Sequence, residues 1–162
     1  MKRLTISVSA CTETMGLLVA VAWADGRLDD REKEGVRGAA QVLNLGRDFR
    51  ARIDQMLATP STIDQVDLGK LTVRDRAFAF VAAAWMAHTD AELAPAEVDL
   101  LERIGAKAGF SKERQQELVG IARGLHPLPA GVASWSEQIT TLFRAIPPQL
   151  EEPGDDFEVV FE

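Results

Sequence analysis

Cysteine occurs once, at Cys11, in 162 residues. A single thiol excludes an intrachain disulfide and a thiolate zinc cluster. It suits a reducing compartment, so a cytoplasmic location is the expectation. No uninterrupted apolar run is long enough to span a bilayer, and direct membrane insertion is not expected. Basic residues form neither a stripe that would hold a phosphate backbone nor a basic amphipathic face. That disfavours nucleic acid and anionic membrane surfaces as partners. The chain also has no Gly-rich phosphate loop, nucleophile elbow or metalloprotease pattern. Runs of β-branched residues are few, and no segment alternates with period two for long enough to predict a sheet.

What is present is ordinary for a globular domain: 46% hydrophobic and 27% charged residues. The length suits one domain with a sizeable core. Ala-rich stretches favour helices. The net charge of −7 is unevenly placed. Glu151, Glu152, Asp155, Asp156, Glu158 and Glu162 fall after Gln149 with no base among them, leaving 19 of the 25 acids against 18 bases in the body.

The stretch "LLVAVAWADGRLDDREKE", Leu17 to Glu34, follows a basic start and could pass for a secretory leader cleaved after Ala24. Two observations predict a retained, buried helix instead. Thr12, Glu13 and Thr14 interrupt the apolar region. The same plan also recurs in the middle of the chain, in "FAFVAAAWMAHTDAELAPAEVDLLERIGAKAGFSKE" from Phe78. Asp25 corresponds to Asp90, Leu28 to Leu93, Glu32 to Glu97 and Glu34 to Asp99, all without a gap.

Capping and breaker residues divide the chain further. The expectation is an apolar helix over 12–24, then a second capped by Asp29 with Glu32 three residues on and closed near Leu45-Gly46. A third runs from Arg47 to Ala58 and stops at Pro60. After a linker over 61–69, an apolar helix covers Thr72 to His88. Pro95 opens a helix to Lys107, and Ser111 caps the next. "GLHPLPAG" breaks the chain. Ser134 caps a last helix, ended by Pro147-Pro148. The predicted fold is all-α, a single-domain bundle of about seven helices built from two pseudo-symmetric repeats near 12–59 and 72–124. Residues 1–10 are expected as an extension, 11–148 as the helical domain and 149–162 as a mobile acidic tail.

Read as a calcium loop, Asp25, Gly26, Leu28, Asp29 and Glu32 fit the second half of the pattern. The first half fails: Val21 and Trp23 in one copy, and Met86 and His88 in the other, stand where oxygen ligands belong. An ordinary calcium hand is rejected. An apolar helix, then "A-D-G-x-L-x-x-x-E", a helix and a short "L-N-L" exit resembles the tellurite-resistance TerB family. "ADGRLDDREKE" matches the family's signature, and "HTDAELAPAEVDLL" reads as the second copy, with Ala91 in place of the glycine and Ala94 in place of the polar residue. The resemblance covers about Cys11 to Gly124. It implies an all-helical bundle of two similar halves and an acidic site for a divalent ion (Ca²⁺, Mg²⁺ or Zn²⁺). Carried onto this chain, the ligands are Asp25, Asp29, Glu32, Asp90 and Glu97.

Each of these residues also has a structural use, which the sequence favours. Asp25 can satisfy backbone N–H groups in the turn, Gly26 can adopt a positive φ, Leu28 and Leu93 can fill the core, and Glu32 and Glu97 can occupy N3 of their helices. His88 reads as a helix-terminal residue, His126 as exposed, Cys11 as unreactive, and Trp23, Trp85 and Trp135 as packing residues. The resemblance implies a non-enzymatic cytoplasmic adaptor or binding protein linked to tellurite, metal or envelope stress. The alternatives are a divalent-metal sensor that switches helix packing and a metal-dependent hydrolase. The expected partner is another protein, reached through the acidic tail Glu151 to Glu162. There "FEVVFE" would place Phe157, Val159 and Phe161 on one side of an extended strand.

Overall fold

The structure, a computed structural model, describes residues 2–23, 30–42, 46–58, 66–87, 95–125, 135–150 and 157–161. The all-α expectation holds for the body. Seven α-helices are described: α1 (Val8–Trp23), α2 (Asp30–Val42), α3 (Arg47–Ala58), α4 (Val73–Ala87), α5 (Pro95–Lys107), α6 (Lys112–Gly124) and α7 (Trp135–Gln149). A 3-10 turn, Leu68–Lys70, precedes α4. No helix among the described residues is long and apolar enough to cross a membrane.

α1 and α4 form the centre. Both are apolar on nearly every side, as a helix enclosed by its neighbours must be, and residues Ala77 to Ala87 are buried without a break. The two helices pack extensively together. Their N-termini meet where the Ser7 hydroxyl donates to Asp75 Oδ2 at 3.3 Å. Around this pair stand α3 on α1, α5 and α6 on α4, and α7 across both α2 and α4. α2 and α7 approach closely. α2 offers Gly35, Ala39 and Ala40 as buried small residues, and α7 contributes Ile139, Leu142, Phe143 and Ile146 to the core. Phe143 meets Phe78 of α4 edge-on, with ring centres 5.1 Å apart.

The helix boundaries repeat. α1, α2 and α3 begin at Val8, Asp30 and Arg47, and α4, α5 and α6 begin at Val73, Pro95 and Lys112. Each pair of starts is separated by 65 positions. The caps repeat with them. The Ser7 hydroxyl accepts from Ala10 N–H at 3.0 Å, and the Thr72 hydroxyl accepts from Asp75 N–H at 3.1 Å.

Four expectations need correction. α1 starts at Val8 rather than Thr12, because Ser7 supplies the cap and Thr12 turns its hydroxyl back to the Val8 carbonyl at 2.6 Å. Gly46 stands at the start of α3 rather than at the end of α2: its carbonyl accepts from Arg50 N–H at 3.0 Å. Among the described residues the left-handed glycine is Gly109, φ 81°, after α5. There Gly109 N–H bonds to Ala106 O and Phe110 N–H to Gly105 O, the two bonds of a Schellman cap. Pro147 and Pro148 lie inside α7 rather than ending it. Both lack the N–H that the ladder uses. Burial of Ile146 and Pro147 against the core holds the last turn.

The fourth correction concerns the termini. The sequence predicts no sheet, yet β1 (Lys2–Ile6) and β2 (Phe157–Phe161) pair in parallel, with Leu4 opposite Val159 and Ile6 opposite Phe161. Parallel strands need a crossover connection, and here the whole helical body supplies it. Leu4 and Ile6 are buried while Thr5 between them is exposed, the period-two pattern of a half-buried strand. Val159 packs on the core. Residues 2–6 and 157–161 are therefore a terminal clasp. The extended segment expected to meet another protein meets β1 of its own chain.

Candidate functional site

Of the five acids expected as metal ligands, Asp25, Asp29 and Asp90 lie outside the described residues, as do Gly26, Leu28, Leu93, His88 and His126. Glu32 falls at the third residue of α2 and Glu97 at the third residue of α5. Among the described residues no group of three His, Cys, Asp or Glu side chains is assembled to hold an ion.

The described charge cluster is one that the sequence does not announce. Glu13 projects from the middle of α1 with 1% exposure. Arg52 of α3 grips it with two parallel bonds, Nη1 to Oε1 at 3.1 Å and Nη2 to Oε2 at 3.3 Å. Lys70 Nζ lies 2.8 Å from Oε1, and Asp67 N–H donates to Oε2 at 3.0 Å. Burial alone would raise the carboxyl pKa. The side-chain bonds from Arg52 and Lys70, the Asp67 N–H and the positive charge of Arg52 outweigh it and hold the pKa below the ordinary carboxylate range. A carboxylate held ionised near neutral pH has no proton to give as a general acid, and its oxygens are occupied by Arg52, Lys70 and the Asp67 N–H. It is a clasp that ties α1 to α3 and to the turn before α4. The signal available in the sequence is a lone acid inside an apolar helix.

Cys11 is fully buried on the same helix. Burial first, and the nearby Asp75 carboxylate second, push its thiol up to about 12. It carries no nucleophilic role. Trp23 is a packing residue with a tether, its indole N–H reaching the Met56 carbonyl at 2.9 Å.

A groove of about 840 Å³ opens between α5 and α6, within the range of ligand sites. α5 contributes Val98, Leu101, Glu102 and Ala106. α6 contributes Lys112, Gln115, Gln116, Val119, Gly120 and Arg123, a continuous stripe along its length. Phe80 and Phe110 form the floor, edge-on with ring centres 6.1 Å apart. Val98 is 39% exposed, one of the few large apolar side chains so open to water.

Local chemistry explains the shape. Gly105 lets the base of the hairpin close, since a Cβ there would come within 2.3 Å of the Gln115 side chain. Gln115 donates to the Phe110 carbonyl at 3.0 Å, and Arg76 of α4 donates to Ala108 O at 3.1 Å. The hairpin base is pinned to α4 while the walls above it part. In the first half of the chain, Arg37 of α2 and Asp54 of α3 bridge those two helices at 2.9 Å. At the corresponding 65-residue offset stand Glu102 and Val119, which cannot form that pair.

No protein-family model, no curated protein and no solved structure matches this chain.

Proposed function

We propose that this chain is a non-catalytic, cytoplasmic binding protein of the TerB-like kind, built from two repeats, with the α5–α6 groove as its binding surface. The observation that carries the reading is a difference between two helix pairs, α2–α3 and α5–α6. Their helices begin in one 65-residue register, yet Arg37 and Asp54 bridge the first pair while an apolar groove opens in the second. A groove on the α5–α6 side gives the protein an oriented surface. The described charge cluster favours the same reading, because its carboxylate is held ionised and enclosed rather than poised for proton transfer. A role in tellurite, metal or envelope stress follows from the resemblance to TerB proteins.

The test places a photo-crosslinking benzoylphenylalanine at Val98 of the full chain in its own host, with a control at exposed Gln55 on α3. A discrete partner crosslinked from Val98 and absent from Gln55 supports the reading. Equal yields at the two positions, or none at Val98, count against it.

A second reading assigns a divalent ion to the turns that precede α2 and α5. It draws on Glu32 and Glu97 standing at the same position of their helices. Thermal melts with Ca²⁺, Mg²⁺ or Zn²⁺ test it, since an ion that binds the native state alone raises Tm. Identical melts with and without each ion would remove it.

A further inference from the structure

The α5–α6 groove, taken as the binding surface proposed above, has features that define its occupant more closely than "a ligand". Its walls are two helices joined by a tight turn at Ala108–Ser111, both packed on α4 and parting from one another above that turn. The lining of α6 extends from Lys112 to Arg123, about 16 Å at 1.5 Å per residue. The groove is thus a cleft lined along the length of α6 and open to solvent where the two helices part. An enclosed pocket would suit a small molecule; an open cleft between two helices, lined along one of them for this length, suits a third helix laid in it.

Charge sets the polarity. Lys112 and Arg123 stand at the two ends of the α6 wall, and neither makes an ion pair among the described residues. Between them the lining is apolar or neutral on α6: Val119, Gly120 and the two glutamines. Glu102 on the α5 wall is the acid facing them. A cation at each end of an apolar cleft favours an apolar stripe with an acid at each end. We infer that the groove, if it is the binding surface, binds an amphipathic helix of a partner protein, about three turns long, with apolar residues at i, i+3, i+4 and i+7 and acidic residues flanking that stripe about three turns apart.

The first half of the chain supplies the closing variant. Glu102→Arg with Val119→Asp places the Arg37–Asp54 pair at the matching positions of α5 and α6. Both sites are on the groove surface, Glu102 exposed and Val119 half-buried. A thermal melt close to that of the unaltered chain verifies the fold before binding is read. A second variant, Lys112→Glu with Arg123→Glu, changes two exposed side chains and reverses the end charges.

The experiment is a selection from a displayed library of helix-biased peptides of about three to four turns, retained by the full chain and depleted on the closed variant. Enriched peptides are then synthesised and titrated by fluorescence anisotropy. The expected result is a consensus with the stated apolar spacing and an acid at each end. Its affinity should fall at least about tenfold, ~1.4 kcal/mol, on both the closed and the charge-reversed variants. Enrichment of basic or neutral stripes, or equal binding to the charge-reversed variant, overturns the acidic helix while leaving the groove as a binding surface. Displacement of the peptides by a medium-chain carboxylate that itself binds more tightly overturns it in favour of a small amphiphile. No enrichment over the closed variant overturns both the helix and the groove reading.

Discussion

Arg52 holds Glu13 through two parallel hydrogen bonds, 3.1 and 3.3 Å long, across the interface of α3 with α1. The two residues are 39 positions apart in the chain, and one of them is among the least exposed acids in the fold. Arg52 and Lys70 keep about a third to a half of their side-chain surface in water, while Glu13 keeps 1%. A freed cation can be solvated where it stands, but the enclosed carboxylate, once stripped of Arg52, cannot. Arg52→Ala should therefore destabilise by about 1.5–3 kcal/mol, the range for bonds to a charged group. Lys70→Ala should cost less, because Arg52 and the Asp67 N–H remain. Urea unfolding of both variants decides, and equal, negligible losses would show that the clasp contributes nothing to stability.

The same carboxylate predicts a pH dependence. Its folded pKa lies below its unfolded value, so between the two the native state binds fewer protons and stability rises with pH. The contribution is complete above the unfolded value, about 4.3 for Glu. It disappears as pH falls through the folded value. Between about pH 3 and pH 6, the wild-type urea midpoint should fall on acidification more steeply than that of Glu13→Gln. Parallel curves would mean that Glu13 does not titrate between these states.

Thr14, one residue along α1, is fully buried, and its hydroxyl has no hydrogen-bond partner among the described residues. A buried hydroxyl without a partner opposes folding. Thr14→Val keeps the shape and removes the group, so it should stabilise by about 1 kcal/mol. A melt showing destabilisation would mean the hydroxyl is satisfied.

Cys11 should resist modification. With its thiol at about 12, the thiolate is scarce near neutral pH, and burial denies access as well. Iodoacetamide in mildly alkaline buffer should label the chain only in denaturant. Labelling of the native protein at the rate of a free thiol would show that α1 opens locally.

The terminal clasp predicts the outcome of truncation. Removing Phe157–Glu162 takes away β2, uncovers the inner row of β1 and deletes Val159 from the edge of the core. The loss should be on the order of 1–3 kcal/mol, comparable to exposing one large aliphatic side chain. A melting temperature unchanged by the deletion would return the segment to a free tail.

Much of the helical plan is legible in the chain. α3, α5 and α6 begin where Arg47, Pro95 and Ser111 place them, because caps and breakers are local signals. The C-terminal end of α7 is misread by the same logic: Pro147-Pro148 is a stop signal locally, and only burial against neighbouring helices overrides it. The candidate site is less legible. An acid in an apolar helix looks like an interruption until α3 brings Arg52 to it. Val98 and Val119 carry no signal of a groove until the walls that hold them part.

By itself the sequence determined the helical class and most of the boundaries, and it carried a 65-residue shift between two stretches whose helix starts the structure then places in that register. All of these follow from interactions within a few residues along the chain, which a linear pattern records. The tertiary structure alone decided the pairing of β1 with β2, the enclosure of Glu13 and the opening between α5 and α6. Each depends on groups brought together from distant positions. The strand segments are too short to declare themselves without a partner. The sign of a buried charge's effect depends on which cations reach it. A groove is the space left where two helices both pack on a third, α4, and part from one another above their shared hairpin.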